Sequence, residues 1–280
     1  MKTQSFFLPA LFFAILLPSA AVTQPAQASI QLKVMAGKPV LDGVFLNGHG
    51  PYRFLLDTGS QSNQVDSGLG HKLGLTATLQ LDLQTPSGAS TVQGGRVSKV
   101  TLGPVGASAV EADDQEFLFT RFDDLSTLSP DIRGILGQEF LAHFDYTLDF
   151  QHHRLIFGDQ PFEEPSAPGV QTGFRLIFGR MAIPTSLGDL VLDSGAELLF
   201  LFRTSSRPAS AQVIGASGAR VPVSFETAPE VRIGDRRYRP ARAEYHPVPA
   251  AEEAGLLPAN LFHAIFICNS KQYVVFDPLP

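Results

Sequence analysis

Short apolar runs separated by turn residues dominate the chain, and this pattern predicts a mainly β fold. From Val44 to Leu56 apolar and polar positions alternate around Asn47-Gly48, a two-residue turn signal between paired strands. Tyr146 to Phe150 returns as Leu155 to Phe157, and Phe266 to Cys268 returns as Tyr273 to Phe276, so each segment reads as a hairpin. Ahead of these hairpins, Phe140, Leu141 and Phe144 fall at helical spacing, as do Leu261, Phe262 and Ile265. One short amphipathic helix is therefore expected in each half.

The hairpins belong to a larger repeat. Phe54 to Ser60 reads FLLDTGS and Leu190 to Ala196 reads LVLDSGA, each an apolar triplet followed by Asp, a small hydroxyl residue and Gly. Three landmarks then recur in the same order: a Ser-Gly-Ala turn (Ser87 to Ala89, Ser217 to Ala219), a strand ending in Gly (VTLG from Val100, VRIG from Val231), and GILGQEFLAHF from Gly134 against GLLPANLFHAI from Gly255. A duplicated unit dictates architecture, so two similar halves are expected. The Pro-, Gly- and Glu-rich stretch from Gly158 to Gly173 reads as the linker, with a boundary near residue 168.

The first residues have a different character. Lys2, an apolar run from Phe6 to Leu17, and small residues at Ser19, Ala20 and Ala21 read as a secretory signal peptide over residues 1–28, cleaved after Ala21 or Ala28. The run is too short for a stable membrane span, which needs roughly 20 apolar residues. A secreted or periplasmic location is expected. The lone cysteine, Cys268, has no intrachain partner and reads as a small core residue. A net charge of -6 argues against a nucleic-acid surface. The basic stretch from Arg232 to Arg242 is interrupted by Gly, Asp and Pro and reads as a solvated hairpin rim.

The chemistry concentrates at Asp57 and Asp193. An Asp directly after an apolar strand is costly to ionise, and the following hydroxyl residue and Gly offer a hydrogen-bonded, sharply turning support. The supporting residues are Thr58, Gly59 and Ser60 in one half and Ser194 and Gly195 in the other. Two such turns face to face would let the carboxyls share one proton and one water. That state suits hydrolysis, because one carboxylate accepts a proton while its neutral partner donates one. No metal, cofactor or covalent intermediate is required.

These motifs resemble those of the pepsin and retropepsin superfamily of aspartic proteases, in a single-chain bacterial form with two retropepsin-like halves. The resemblance covers nearly all of residues 30–280. It implies a two-lobed acid-protease fold, each lobe a small closed β-barrel with one short helix, divided into an N-terminal lobe 29–167 around Asp57 and a C-terminal lobe 168–280 around Asp193. It makes Asp57 and Asp193 catalytic, matches Ile135, Leu136 and Gly137 to the second family signature, and matches Ser87, Gly88, Ser217 and Gly218 to substrate-covering flaps. The partner it implies is an extended polypeptide, cleaved by a monomer. Two departures stand out: Ala196 replaces the first half's Ser60, and Pro258 stands where Gly137 has its counterpart.

Other chemistry fits less well. Adjacent His152 and His153 would point to opposite faces of a strand and read as a hairpin turn, not as a metal site. No G-x-S-x-G elbow, P-loop or dinucleotide fingerprint occurs. Against the endopeptidase stand two alternatives: an inactive peptide-binding module on the same duplicated fold, and a homodimeric protease built from Asp57 alone. Retention of both Asp-hydroxyl-Gly motifs favours the single-chain enzyme.

Overall fold

The computed structural model describes residues 22–23, 28–85, 88–103, 109–122, 128–158, 169–214 and 220–276. Within them the chain forms a 14-stranded sheet, an 8-stranded sheet and a 2-stranded ribbon. The first sheet gathers the strands of the N-terminal half and the last hairpin of the chain. The second is built from residues 175–258.

Local chemistry explains the hairpins. Lys38–Leu46 and His49–Leu56 pair antiparallel through Asn47 and Gly48, whose φ values of 50 and 77 meet the double left-handed requirement of a tight turn. The apolar triplets lie in the core: Phe54, Leu56, Leu190 and Leu192 are fully buried. Each triplet strand then pairs in parallel with its half's second signature, Leu56 beside Leu136 and Asp193 beside Pro258. Both strands accordingly end at the same level, and the loops that follow them start side by side.

The two halves are stitched by main chain. Tyr146–Asp149 pairs with Arg154–Phe157 on one side and with Ala264–Cys268 on the other. The second hairpin, Ala264–Cys268 with Tyr273–Phe276, then accepts Val170–Gly173, so the end of the stretch expected to be linker is instead a paired strand. One sheet thus receives strands from both halves.

Helices depart from the expectation. Gln138–Leu141 is α-helical as read, but the second copy forms only a 3-10 turn, Ala259–Leu261, and Phe262 is already extended. Ile265 belongs to a strand, because AIFIC is β-branched and aromatic and lies between two pairing partners. A further helix, Ser67–Lys72, escaped the apolar pattern; its first turn is capped by the Asp66 carboxylate, which accepts from Leu69 N. Val22–Thr23 pairs with Val110–Thr120, and Ala28 opens a strand and is buried, both inside the stretch set aside as a leader. Residues 1–21 and 159–168 lie outside the described residues. No helix among the described residues is long and apolar enough to cross a membrane.

Candidate active site

The parallel pairing delivers Asp57 and Asp193 to one place. Leu136 O accepts from Asp57 N at 2.9 Å, which pins the end of the first strand. Beyond it each chain folds back on its own carboxylate: Asp57 Oδ1 accepts from Gly59 N at 2.9 Å and Ser60 N at 3.1 Å. Asp193 Oδ1 accepts from Gly195 N at 2.7 Å and Ala196 N at 2.9 Å. The replacement of Ser60 by Ala196 keeps the N–H that holds the carboxylate and gives up only the Ser60 hydroxyl's own bond to Ser62 O at 2.9 Å.

The hydroxyl residues lock the loops together. Thr58 Oγ1 donates to Leu192 O at 2.8 Å and accepts from Ser194 N at 3.0 Å. Ser194 Oγ donates to Leu56 O at 2.7 Å and accepts from Thr58 N at 3.0 Å. Both residues are fully buried. Four buried main-chain groups are thereby satisfied by two hydroxyls, each reaching across to the other half. The glycines permit the approach: a Cβ on Gly59 would lie 2.4 Å from Asp193 Cγ, and one on Gly195 would lie 2.8 Å from Asp57 Cγ. Each glycine thus leaves space for the opposite carboxyl.

The two carboxyls are close enough to act on each other's ionisation. Burial, reinforced by the neighbouring charge of Asp193, pushes Asp57 up to about 8. Burial also raises Asp193, opposed by Lys38 and by the backbone N–H groups of Gly195 and Ala196. Two carboxyls this close cannot both ionise readily, so the pair retains one proton between them.

Lys38 is a site residue that no motif announced. It lies just past the Ala36-Gly37 hairpin tip of the N-terminal half, and its Nζ donates to Gly195 O in the second loop. Nothing local marks it, because its relevance comes from a contact 157 residues away. Asn63 and Gln138 were also missed: Asn63 Oδ1 accepts from Gly137 N at 3.0 Å, and Gln138 Nε2 donates to Thr58 O at 2.8 Å.

Asn63 explains the departure at Pro258. In the first half Gly137 N–H points inward and needs an acceptor. In the second, Pro258 has no N–H, and Leu199 occupies the place of Asn63, six positions after the motif Asp. Donor and acceptor are lost together, and Pro258 sits buried in strand pairing beside Asp193. No main-chain N–H is therefore left without an acceptor at this position.

Of the flap candidates, Gly88 begins the Gly88–Leu102 strand and pairs with Thr85 across a hairpin tip. Ser87, Ser217 and Gly218 lie outside the described residues; Ala211–Ile214 pairs antiparallel with Arg220–Thr227. His152 sits in a hairpin turn with its Nδ1 2.9 Å from Asp149 Oδ2. Among the described residues no cluster of three or more potential metal ligands occurs. Cys268 is buried in a strand. The basic stretch forms the 2-stranded ribbon, with Glu230 facing Arg239 at 3.1 Å.

The aspartyl protease family model matches residues 43–140. No curated protein matches the sequence. Among solved structures, the aspartic proteinase of Irpex lacteus is similar at TM-score 0.56 and 12% identity, covering 90% of this chain and 97% of that one. Basic 7S globulin from soybean is similar at TM-score 0.55 and 11% identity, covering 90% and 95%. Conglutin gamma from lupine seeds is similar at TM-score 0.53 and 14% identity, covering 91% and 95%. The shared fold over most of the chain and the aspartyl protease match around Asp57 bear out its resemblance to the pepsin and retropepsin superfamily of aspartic proteases.

Proposed function

We propose that the chain is an aspartic-type endopeptidase in which Asp57 and Asp193 activate a water for attack on a peptide bond. The observation that carries this reading is the carboxyl pair itself: a half-buried Asp57 and a buried Asp193, each held by matching N–H groups, each occupying the space beside the other loop's glycine, and both raised so that one proton remains between them. A structural turn has no use for a second buried acid at contact distance, whose desolvation is a standing cost.

In the proposed cycle the Asp193 carboxylate removes a proton from water as its oxygen attacks the carbonyl carbon. Asp57 donates its proton to the carbonyl oxygen, giving a neutral gem-diol. The amide nitrogen then takes the proton held by Asp193, the C–N bond breaks, and the diol proton returns to the pair. Asp-dyad catalysis of this type is a general pattern of acid–base tuning. The substrate is an extended polypeptide whose backbone pairs with the strand pairs Leu79–Thr85 with Gly88–Leu102 and Ala211–Ile214 with Arg220–Thr227. The protein acts as a monomer, since one chain supplies both carboxyls, and it acts outside the cytoplasm after removal of its leader. Cleavage after Ala21 is the variant that keeps Val22–Thr23 and Ala28 in their paired strands.

A binding module without turnover is the second reading, since the same fold is shared by two proteins named as 7S globulins and not as proteinases. Asp57→Asn and Asp193→Asn separate the two. Each abolishes hydrolysis of a general peptide library while leaving the circular dichroism spectrum unchanged. Near-normal turnover by the Asp193 variant would instead require the homodimeric arrangement, and no hydrolysis by the wild type at any pH would leave only the binding module.

A further inference from the structure

The sheet carrying Asp193 has two faces. Leu190, Leu192, Leu199, Leu201, Ala243 and Tyr245 all pack into the main core. Side chains alternate along a strand, so Val191, Asp193, Phe200 and Glu244 lie on the opposite face. The register joins them into one row: Val191 beside Leu256, Leu256 beside Phe200, Phe200 beside Glu244, and Glu244 beside Phe225. Glu244 is three strands from Val191, about 14 Å at ordinary strand spacing. An extended peptide covers that distance in about four residues.

The N-terminal half contains the same row with different chemistry. Leu55 lies beside Ile135, Ile135 beside Gln64, and Gln64 beside Leu118. Gln64 and Phe200 each follow their Asp by seven positions, so Leu118 is the counterpart of Glu244. Leu118 is neutral and buried, whereas Glu244 is a half-buried acid. Pseudo-symmetric lobes thus carry a charge on one side only.

Glu244 has no hydrogen bond or ion pair among the described residues. Its cationic neighbours are engaged elsewhere: Lys38 donates to Gly195 O, and the Arg242 guanidinium lies 4.6 Å from the centre of the Phe225 ring. Lys38, the cation that touches the Asp193 loop, also acts on Glu244, which places the carboxylate in the same electrostatic neighbourhood as the pair. Burial pushes Glu244 up, and Glu197 adds to this while Lys38 and Arg242 oppose it. The carboxylate is short of partners.

We infer that Glu244 forms a cation-selective subsite on the Asp193 side of the cleft, taking a Lys or Arg side chain of the bound peptide two to about four residues from the cut. The inference rests on the reading of the cleft as a peptide-binding groove. A positive side chain supplies the ion pair that Glu244 lacks, and Phe200 and Phe225 flank it with apolar surface for the aliphatic stem. Because Leu118 replaces it across the pseudo-twofold, the preference is confined to one side of the scissile bond.

The test uses peptides with a constant apolar pair at the cut and lysine, norleucine or glutamate placed in turn at each of four positions on either side. For the wild type, kcat/KM favours lysine over norleucine by about tenfold at one or two positions on one side only. In Glu244→Gln that ratio falls to near one, and in Glu244→Lys it shifts towards glutamate. No lysine preference in the wild type, or a preference that survives Glu244→Gln, overturns the inference. The same series built around a non-cleavable hydroxyl-containing isostere, read by calorimetry, keeps the subsite testable without turnover. Lysine-selective binding without cleavage would sink the endopeptidase and leave the subsite standing, and cleavage without selectivity would do the reverse.

Discussion

At Thr58 and Ser194 two small side chains decide whether the loops meet. Thr58→Ala would leave Leu192 O and Ser194 N buried without partners, at a cost of about 2–4 kcal/mol of stability. Thr58→Ser keeps the oxygen and is expected to recover most of it; urea denaturation of both variants gives the comparison. The proton at Asp57 has a pH signature. Its folded pKa of about 8 lies above the ~3.9 of an unfolded Asp, so the stabilisation from holding that proton is complete below about pH 4 and is lost as pH rises through 8. Asp57→Asn removes this dependence, so the melting temperature of the variant should gain on the wild type steadily between pH 4 and pH 8. Turnover should show an alkaline limb near pH 8, where the shared proton leaves. A pH–rate profile flat through pH 9 would refute the coupled pair.

At the scale of elements, the strands were legible because their signals are local. Asn47-Gly48 specifies its turn from two residues, and the apolar triplets mark buried strand ends. Helices were less legible. The spacing of Leu261, Phe262 and Ile265 satisfies a helical period, yet the neighbouring strands claim residues 264–268. Ser67–Lys72 is short and carries two glycines, so no apolar period revealed it. Asn63 and Pro258 show the same dependence on partners. Asn63→Leu should cost about 1–3 kcal/mol by orphaning Gly137 N–H, whereas Leu199→Asn gains no compensating bond, because Pro258 has no N–H to offer. Thermal melts of the two single variants check this.

For the whole molecule, the sheet shared by Tyr146–Asp149 and Ala264–Cys268 couples the halves more firmly than a side-chain interface would. Separating them would expose main-chain hydrogen-bonding groups along an edge and part the Thr58–Ser194 lock at the same time. One cooperative unfolding transition is therefore predicted. Calorimetry should give a van't Hoff enthalpy close to the calorimetric one, and two resolved transitions would show the halves to be independent.

What the sequence by itself determined was the mainly β character, the duplication, and the identity of Asp57 and Asp193 with their hydroxyl and glycine neighbours. All of these are written in contiguous residues or in a repeat that can be compared with itself. Only tertiary structure decided that Lys38 reaches the Asp193 loop, that Asn63 serves Gly137 while Pro258 needs no such partner, and that Glu244 shares a sheet face with Asp193. These depend on strand register and on contacts between distant residues, where a shift of one position turns a side chain to the other face, and no local pattern records that choice.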